Sequence, residues 1–149
     1  MIRKALLILA IIILLIQMFR PEQNISASAP ANAIEAHYPV SKRIGALLRS
    51  SCYDCHSNNT VYPWYSKVQP FAWWLRSHIT EGKRELNFDE FNSYDNKKKK
   101  HKLDEVVEMI EKNEMPLSSY TLIHKKAVLS SQEKNEIIAW AKELKNAIH

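Results

Sequence analysis

The sequence contains two cysteines, Cys52 and Cys55, separated by two residues, and His56 directly follows the second one. Three kinds of chemistry use such a pair: a dithiol that cycles to a disulfide, half of a zinc site, and the attachment of a c-type haem. In haem attachment each residue has a role, because both thiols add to porphyrin vinyl groups and the histidine ligates the iron. A histidine follows the pair by chance in only about 2% of cases. The pattern therefore favours one covalent haem c, with Cys52 and Cys55 as thioether donors and His56 as the proximal iron ligand.

The other uses of the cysteine pair receive less support. A thiol oxidoreductase usually carries this motif after a strand of an α/β fold, and no segment alternates convincingly with a period of two. A structural zinc ion needs a second close pair of ligands, but His78, His101 and His124 are far apart in sequence. A disulfide between the two cysteines would close a very short loop and remove little chain entropy. These alternatives stay open, but haem attachment is favoured over each of them.

A second axial ligand for the iron would be a methionine sulfur or another histidine. Met115 is the favoured candidate, because it follows a predicted helix and Pro116 stiffens the loop that presents it. His78, on a predicted helix beside the sequence WWLR, is the alternative. Met109 lies inside an amphipathic helix and is predicted to be a core residue. Three histidines are expected at the surface: His37, His101 and His149.

Several further side chains are candidates for the surroundings of a haem. His124 is expected to hydrogen-bond a propionate or a carbonyl, or to face solvent. Basic residues near the motif are candidates for neutralising propionates, although surface exposure is the commoner fate: Arg76, Lys83 and Arg84. The tryptophans suit either a core or the wall of a haem pocket: Trp64, Trp73, Trp74 and Trp140.

The first 19 residues begin with two basic residues and continue as an apolar run from Ala5 to Phe19. This pattern is typical of an export signal or a membrane anchor, and the anchor is favoured because Pro30 follows the small residues at 27–29. The basic start predicts that the rest of the chain lies outside the cytoplasmic membrane, at its periplasmic face. Bacteria form haem thioethers in that location. The predicted division is a signal anchor or signal peptide at 1–20, a flexible tether at 21–37 and a haem c-binding domain at 38–149.

The charge of the chain does not indicate a nucleic-acid partner. The formal net charge is +5, and part of it flanks the apolar segment. The dense basic run KKKKHK at 97–102 contains no aromatic residue of the kind that stacks on single-stranded bases. It is predicted to be a solvated loop ahead of a helix.

The composition predicts an all-α fold, because only two residues are glycine and helix-forming residues are abundant. Ser41 and Ser130 are placed as helix N-caps, and Glu133 completes a capping box with Ser130. The predicted helices are one that leads from Ser41 into the cysteine motif, one from Ala72 to about Glu81 ended by Gly82, one across HKLDEVVEMIEKN and one after Ser130. Together they predict a small cytochrome c-like bundle of four or five helices with long loops.

Five stretches of the sequence resemble the bacterial haem-binding domain family of exported, single-haem c-type proteins: CYDCHSN, YPWYSKVQP, WWLRSHITEGKRELNF, EMP and AVLSSQEKNEIIAWA. They cover about residues 38–145. The resemblance implies a helical, cytochrome c-like fold in which Cys52, Cys55 and His56 hold the cofactor. Phe91 stands where the family is expected often to have tryptophan. The Met-Pro loop and the capped final helix are also similar, more loosely, to class I cytochromes c.

The combined interpretation is a one-electron carrier rather than a catalyst. Its expected partners are redox proteins at the membrane, with the N-terminal helix in contact with the membrane. The alternatives are a haem-based sensor or small-ligand binder and a peroxidase-like enzyme, both with an open distal site. A thiol–disulfide oxidoreductase is a further alternative.

Overall fold

The structure is a computed structural model that describes all 149 residues. It is all-helical, as the composition predicts, and its one extended pairing is an isolated bridge between Ile25 and Asn59. The α-helices are α1 (Ile2–Ile16), α2 (Ile34–His37), α3 (Lys42–Ser51), α4 (Tyr53–His56), α5 (Phe71–Glu85), α6 (Asn96–Glu111), α7 (Ser118–Ile123) and α8 (Ser131–Ala147). Short 3₁₀ helices occupy Trp64–Lys67, Phe88–Ser93 and Lys125–Ala127. The four predicted helices correspond to α3, α5, α6 and α8.

The main core forms where α3, α6 and α8 pack around the segment that follows α5. The long helices α6 and α8 make the most extensive contact between elements. Phe88 and Phe91 from the segment after α5 are almost fully buried, as are Leu48, Leu103 and Ile137 from the three helices. Burial of one such side chain contributes about 1.5–3 kcal/mol. The apolar stripes predicted for α6 and α8 therefore face this core.

Both predicted serine caps are confirmed. The hydroxyl of Ser41 accepts a hydrogen bond from the backbone N–H of Ile44 at 3.2 Å. At the start of α8 the Ser130 hydroxyl accepts from the Glu133 N–H at 3.3 Å, and the Glu133 carboxylate accepts from the Ser130 N–H at 2.9 Å. These bonds satisfy N–H groups that have no partner inside the helix.

The prediction of a loop at 97–102 is wrong, because these residues form the first turns of α6. Lys99 and Lys102 are only 6% and 8% exposed. The Lys99 amine donates to Asn92 Oδ1 at 3.2 Å, and the Lys102 amine donates to Glu105 Oε2 at 2.6 Å. The aliphatic stems can be buried because the charged ends reach these partners.

The prediction that Gly82 ends the second helix of the domain is also wrong. Helix α5 continues to Glu85, and Gly82 lies inside it with a negative φ. This glycine is buried against another element. Its role is therefore packing rather than helix termination.

The predicted signal or anchor segment at 1–20 forms helix α1, which has 15 residues and no buried side chain. At 1.5 Å per residue its length is about 22 Å, whereas a bilayer hydrocarbon core is about 30 Å thick. No helix of the protein is both long enough and apolar enough to cross a membrane. The predicted spanning anchor is therefore not found in the structure.

Residues 21–37, predicted to be a flexible tether, lie along the domain in the structure. We call this segment the strap. Ile34 is fully buried in the main core. The Asn24 side-chain amide donates to the Ser57 carbonyl at 2.9 Å and to Thr60 Oγ1 at 3.0 Å. The strap thus contributes both core packing and hydrogen bonds to the region after the cysteine motif.

Loss of the capping box tests how the final helix is stabilised. We expect Ser130→Ala to lower the free energy of unfolding by about 1 kcal/mol, because the hydroxyl that accepts from the Glu133 N–H and donates to the Glu133 carboxylate is lost. Urea denaturation followed by circular dichroism measures this change. Ser131→Ala, one residue later and exposed, is the matched control and should change stability by less than about 0.5 kcal/mol. Equal effects of the two substitutions would contradict the proposed role of the cap.

Candidate functional site

A single helical turn carries the two cysteines and the histidine. Cys52 joins α3 to α4, and its N–H donates to the Leu48 carbonyl at 2.8 Å. Its own carbonyl accepts from the N–H groups of Cys55 at 3.1 Å and His56 at 3.0 Å. The three side chains of the motif consequently line one cavity. We call residues 52–56 the cysteine turn.

The cysteine turn rests on α5 at Gly82. A Cβ atom at this position would lie 2.8 Å from the Cys55 carbonyl oxygen and 3.1 Å from the Cys55 Cβ. The two backbones can approach this closely only because glycine has no side chain. On the other side of the turn, the rings of Tyr53 and Phe88 stack with their centroids 5.3 Å apart. The turn is therefore held between α5 and the main core.

The imidazole of His56 is oriented by a backbone carbonyl. His56 Nδ1 lies 2.9 Å from the carbonyl oxygen of Leu86, the residue that follows α5. Burial lowers the pKa of His56, so the ring is neutral near pH 7. A neutral ring bonded to a carbonyl carries its proton on Nδ1, which leaves Nε2 as the nitrogen that can ligate a metal.

Both cysteines are free thiols. Burial raises the pKa of Cys52 to about 12, with a further contribution from Cys55. Burial and the charge of Asp54 raise the pKa of Cys55 to about 11. Thiols of this kind stay protonated at neutral pH, whereas dithiol oxidoreductases depend on a thiol of lowered pKa. The surroundings of the pair therefore disfavour thiol–disulfide exchange.

Two adjoining cavities of about 310 Å³ and 200 Å³ lie against the cysteine turn. The larger is lined mostly by hydrophobic residues from α3, α6 and α8. Both volumes together fall within the range of about 300–1,000 Å³ that cofactor sites occupy. The residues common to both walls are Ser51, Cys52, His56, Glu85, Met115 and Pro116. An apolar space bounded by two thiols and a free imidazole nitrogen fits a haem.

The structure brings Met115 to this site. Helix α6 is followed by Asn113 in the left-handed region with φ 59°, and the Met109 carbonyl accepts from the N–H groups of Glu114 at 2.9 Å and Met115 at 3.2 Å. These bonds turn the loop back toward the cysteine turn, so that Met115 lines both cavities. His78 lines only the smaller one, where its ring packs edge-on against Trp74 at 4.6 Å.

Sequence reasoning missed Tyr120, which ties the Met115 loop to the cysteine turn. The Tyr120 hydroxyl donates to Asp54 Oδ2 at 2.6 Å, and Asp54 Oδ1 accepts from the Val61 N–H at 3.0 Å. Asp54 lies between the two cysteines, and Tyr120 lines the smaller cavity. No local signal identifies this contact, because its partners are 66 residues apart.

The basic residues predicted to meet propionates have other partners. Lys83 donates to Asn24 Oδ1 at 2.6 Å, and Arg76 donates to the Glu22 carbonyl at 3.1 Å, so both hold the strap. Arg84 pairs with Glu81 on its own helix. None of the three basic residues lines either cavity. Lys102 does line the larger cavity, together with Glu85 and Glu105.

Other residues that were predicted to surround a haem also lie elsewhere in the structure. His124 contacts neither cavity, and its Nε2 lies 2.8 Å from the Tyr65 hydroxyl. Met109 is half-buried and lines the larger cavity instead of filling the core. Among the tryptophans only Trp140 is buried, while three are exposed: Trp64, Trp73 and Trp74. The histidines predicted at the surface are exposed, as expected: His37, His101 and His149.

The zinc alternative finds no ligand set. No group of three or more His, Cys, Asp or Glu side chains is placed to hold a metal ion. The two cysteines and His56 follow one another in the Cys-x-x-Cys-His spacing of haem attachment, and a structural zinc site would need a further close pair of ligands.

Fold and site together define an all-helical cofactor-binding domain with a Cys-x-x-Cys-His turn against an apolar cavity. A family model described as "Haem-binding domain" matches residues 11–143, which is most of the chain. The chain therefore belongs to this haem-binding domain family, in agreement with the resemblance seen in the sequence. Membership supports a haem cofactor. No curated protein and no solved structure matches the chain.

The contact between Gly82 and the cysteine turn can be tested with the two glycines of the chain. We expect Gly82→Ala to destabilise the protein by about 1–3 kcal/mol, because the added Cβ overlaps backbone atoms of Cys55. The loss should appear although alanine favours helices by about 1 kcal/mol. Thermal and urea denaturation of the variants measure it.

Gly45→Ala is the matched control, because Gly45 is also buried and helical. The nearest atoms to its added Cβ are the flexible ends of Arg49 and Glu35, at 3.0–3.3 Å. We expect this substitution to change stability by less than about 1 kcal/mol. If Gly82→Ala were as mild as Gly45→Ala, close packing of α5 on the cysteine turn would not be a constraint.

Proposed function

We propose that the protein carries one covalently attached haem c at this site and transfers single electrons outside the cytoplasmic membrane. The observation that carries the proposal is the placement of two free thiols and an oriented imidazole at the wall of an apolar cavity. The bound cofactor would supply an iron centre that cycles between the ferric and ferrous states.

The residues of the cysteine turn would have distinct roles in holding the cofactor. Cys52 and Cys55 would form the thioether bonds, and His56 would ligate the iron through Nε2. The Leu86 carbonyl fixes the ring orientation of His56 and its tautomer, and hydrogen bonding at Nδ1 makes the other nitrogen a better donor. The apolar wall limits access of water to the site.

We propose Met115 as the second axial ligand, with His78 as the alternative. Met115 lines both cavities, and the Tyr120–Asp54 hydrogen bond restrains the loop that carries it. If His56 and Met115 both held the iron in its two oxidation states, the reorganisation on electron transfer would be small. This arrangement favours an electron carrier over a catalyst.

A haem-based sensor or small-ligand binder is the second candidate function, and a peroxidase-like enzyme is related to it. The observation that favours this class is the smaller cavity, where the imidazole of His78 lines the same space as Met115. Hydrogen-bond donors beside an open distal position are the means by which haem proteins bind or activate small ligands. The two classes differ in whether Met115 occupies that position.

We also propose that the chain is exported and exchanges electrons with redox proteins at the periplasmic face of the membrane. The basic start and apolar run of residues 1–19 support export. Covalent haem attachment in bacteria takes place on the same side of the membrane. The two arguments are independent of each other.

Covalent attachment predicts a specific pattern of masses and spectra. Native protein matured with the haem-attachment machinery should exceed its polypeptide mass by one haem. We expect Cys52→Ala and Cys55→Ala to keep at most one thioether, the double variant to lose covalent haem, and His56→Ala to lose the low-spin spectrum. Mass spectrometry and absorption spectroscopy measure these outcomes, with the exposed Ser119→Ala as control.

A native protein without added mass would rule out the proposed attachment. Two titratable free thiols with no Soret band would instead indicate a dithiol protein. Retention of covalent haem in the double cysteine variant would show that other residues hold it.

The distal ligand can be identified by carbon monoxide binding. If Met115 ligates the iron, reduced native protein binds carbon monoxide weakly, and Met115→Ala increases the affinity by about tenfold or more. The near-infrared band of sulfur ligation to ferric iron should disappear in the same variant. Met109→Ala is the matched control, because it removes a methionine from the same cavity. Tight binding to native protein with an unchanged Met115→Ala spectrum would favour the sensor, and an effect confined to His78→Ala would assign the histidine.

A further inference from the structure

An exposed apolar surface lies at the N-terminal end of α5 and the turn before it. We call it the aromatic face, and its members with their exposed fractions are Trp64 (77%), Val68 (41%), Phe71 (55%), Trp73 (40%) and Trp74 (38%). None of these residues lines the two cavities at the cysteine turn. Five exposed large apolar residues within the eleven positions 64–74 indicate an interaction surface. The proposed electron transfer leaves this face without a role.

The exposed helix α1 ends at the same edge of the domain. The Gln69 backbone N–H donates to Gln17 Oε1 at 2.9 Å, and the Gln69 side-chain amide donates to the Phe19 carbonyl at 2.6 Å. The Trp73 indole N–H donates to the same carbonyl at 3.0 Å. These bonds hold the end of α1 beside the aromatic face. The apolar helix α1 is therefore joined to the same short segment of chain that carries the aromatic face.

Basic side chains border the aromatic face. A cavity of about 190 Å³ between the strap and the start of α5 is lined by Arg20, Lys67 and Arg76. Glu22 is the one acidic residue in its wall. The Arg76 guanidinium donates to the Glu22 carbonyl at 3.1 Å, so the basic side chain is held at this position. The net positive charge of the cavity suits a phosphate group.

We propose that the aromatic face, together with α1, rests on the surface of an anionic lipid bilayer. Tryptophan and phenylalanine side chains partition into the boundary between headgroups and acyl chains. Lysine and arginine beside them attract anionic headgroups, each contributing about 1 kcal/mol near a charged surface. A lipid phosphate in the basic cavity and aromatic rings in the boundary layer would fix the orientation of the domain. This inference goes beyond the proposed function, because it requires no cofactor.

Vesicle binding of the full chain tests the aromatic face. The probe is vesicles of phosphatidylcholine alone or with phosphatidylglycerol, and binding is measured by co-sedimentation. We expect Trp64→Ser/Trp74→Ser to lower the partition coefficient at least about tenfold. The control Leu122→Ser/Ile123→Ser changes two exposed apolar residues on α7 and should alter it by less than about twofold.

The basic cavity is tested in the same assay with a charge-matched pair of variants. We expect Arg20→Gln/Lys67→Gln to remove most of the preference for phosphatidylglycerol, while Lys125→Gln/Lys126→Gln, which changes two exposed lysines elsewhere, retains it. A free phosphate site would instead show competition by inorganic phosphate with no dependence on vesicles, which would overturn the lipid assignment.

Two outcomes would overturn the membrane proposal as a whole. If the Trp64→Ser/Trp74→Ser variant binds vesicles as well as the native chain does, α1 alone accounts for the affinity. If that variant abolishes a dimer of the native chain seen by sedimentation velocity without vesicles, the face joins two copies. Haem content is measured on the same samples, so that failure of haem attachment and failure of membrane binding are read separately.

Discussion

The contact between Gly82 and Cys55 is the constraint on which the candidate site depends. A Cβ atom at position 82 would lie only 2.8 Å from the Cys55 carbonyl oxygen, so α5 and the cysteine turn are as close as a residue without a side chain allows. Because α5 continues through Gly82 to Glu85, the same helix also places Leu86 at its end, whose carbonyl orients His56. One glycine thus determines both where the thiols lie and how the imidazole is turned.

The electrostatics of the site follow from its burial. The thiols keep their protons and the imidazole is neutral, because each charged form would lose hydration. No buried side-chain nitrogen or oxygen in the protein lacks a hydrogen-bond partner. The one lysine at the larger cavity, Lys102, is paired with Glu85 at 3.4 Å and Glu105 at 2.6 Å. A site of this kind suits a large, flat and mostly apolar group better than it suits an ion.

The sequence predicted those features that arise from neighbouring residues. The cysteine motif and the capping box at Ser130 depend on spacings of a few residues, and the stripe of α8 depends on helical periodicity. Gly82 could not be interpreted correctly, because a glycine near a helix end usually terminates it and only the distant Cys55 shows otherwise. The Tyr120–Asp54 bond and the buried stem of Lys102 likewise depend on contacts between separate elements. Tryptophan is a residue type that is usually buried, but Trp64, Trp73 and Trp74 lie outside the core.

The strap gives the first part of the chain a structural role in the finished domain. The small residues at 27–29 and 31–33, where a signal peptidase would act, lie inside it. Maturation at either place would detach Asn24, whose amide serves the Ser57 carbonyl and the Thr60 hydroxyl just after the cysteine turn. The Ser57 carbonyl, the Thr60 hydroxyl and the Lys83 amine would each lose a hydrogen-bond partner that only water could replace. A chain that keeps its first 29 residues therefore also keeps the hydrogen bonds between the strap and the segment that follows the cysteine turn.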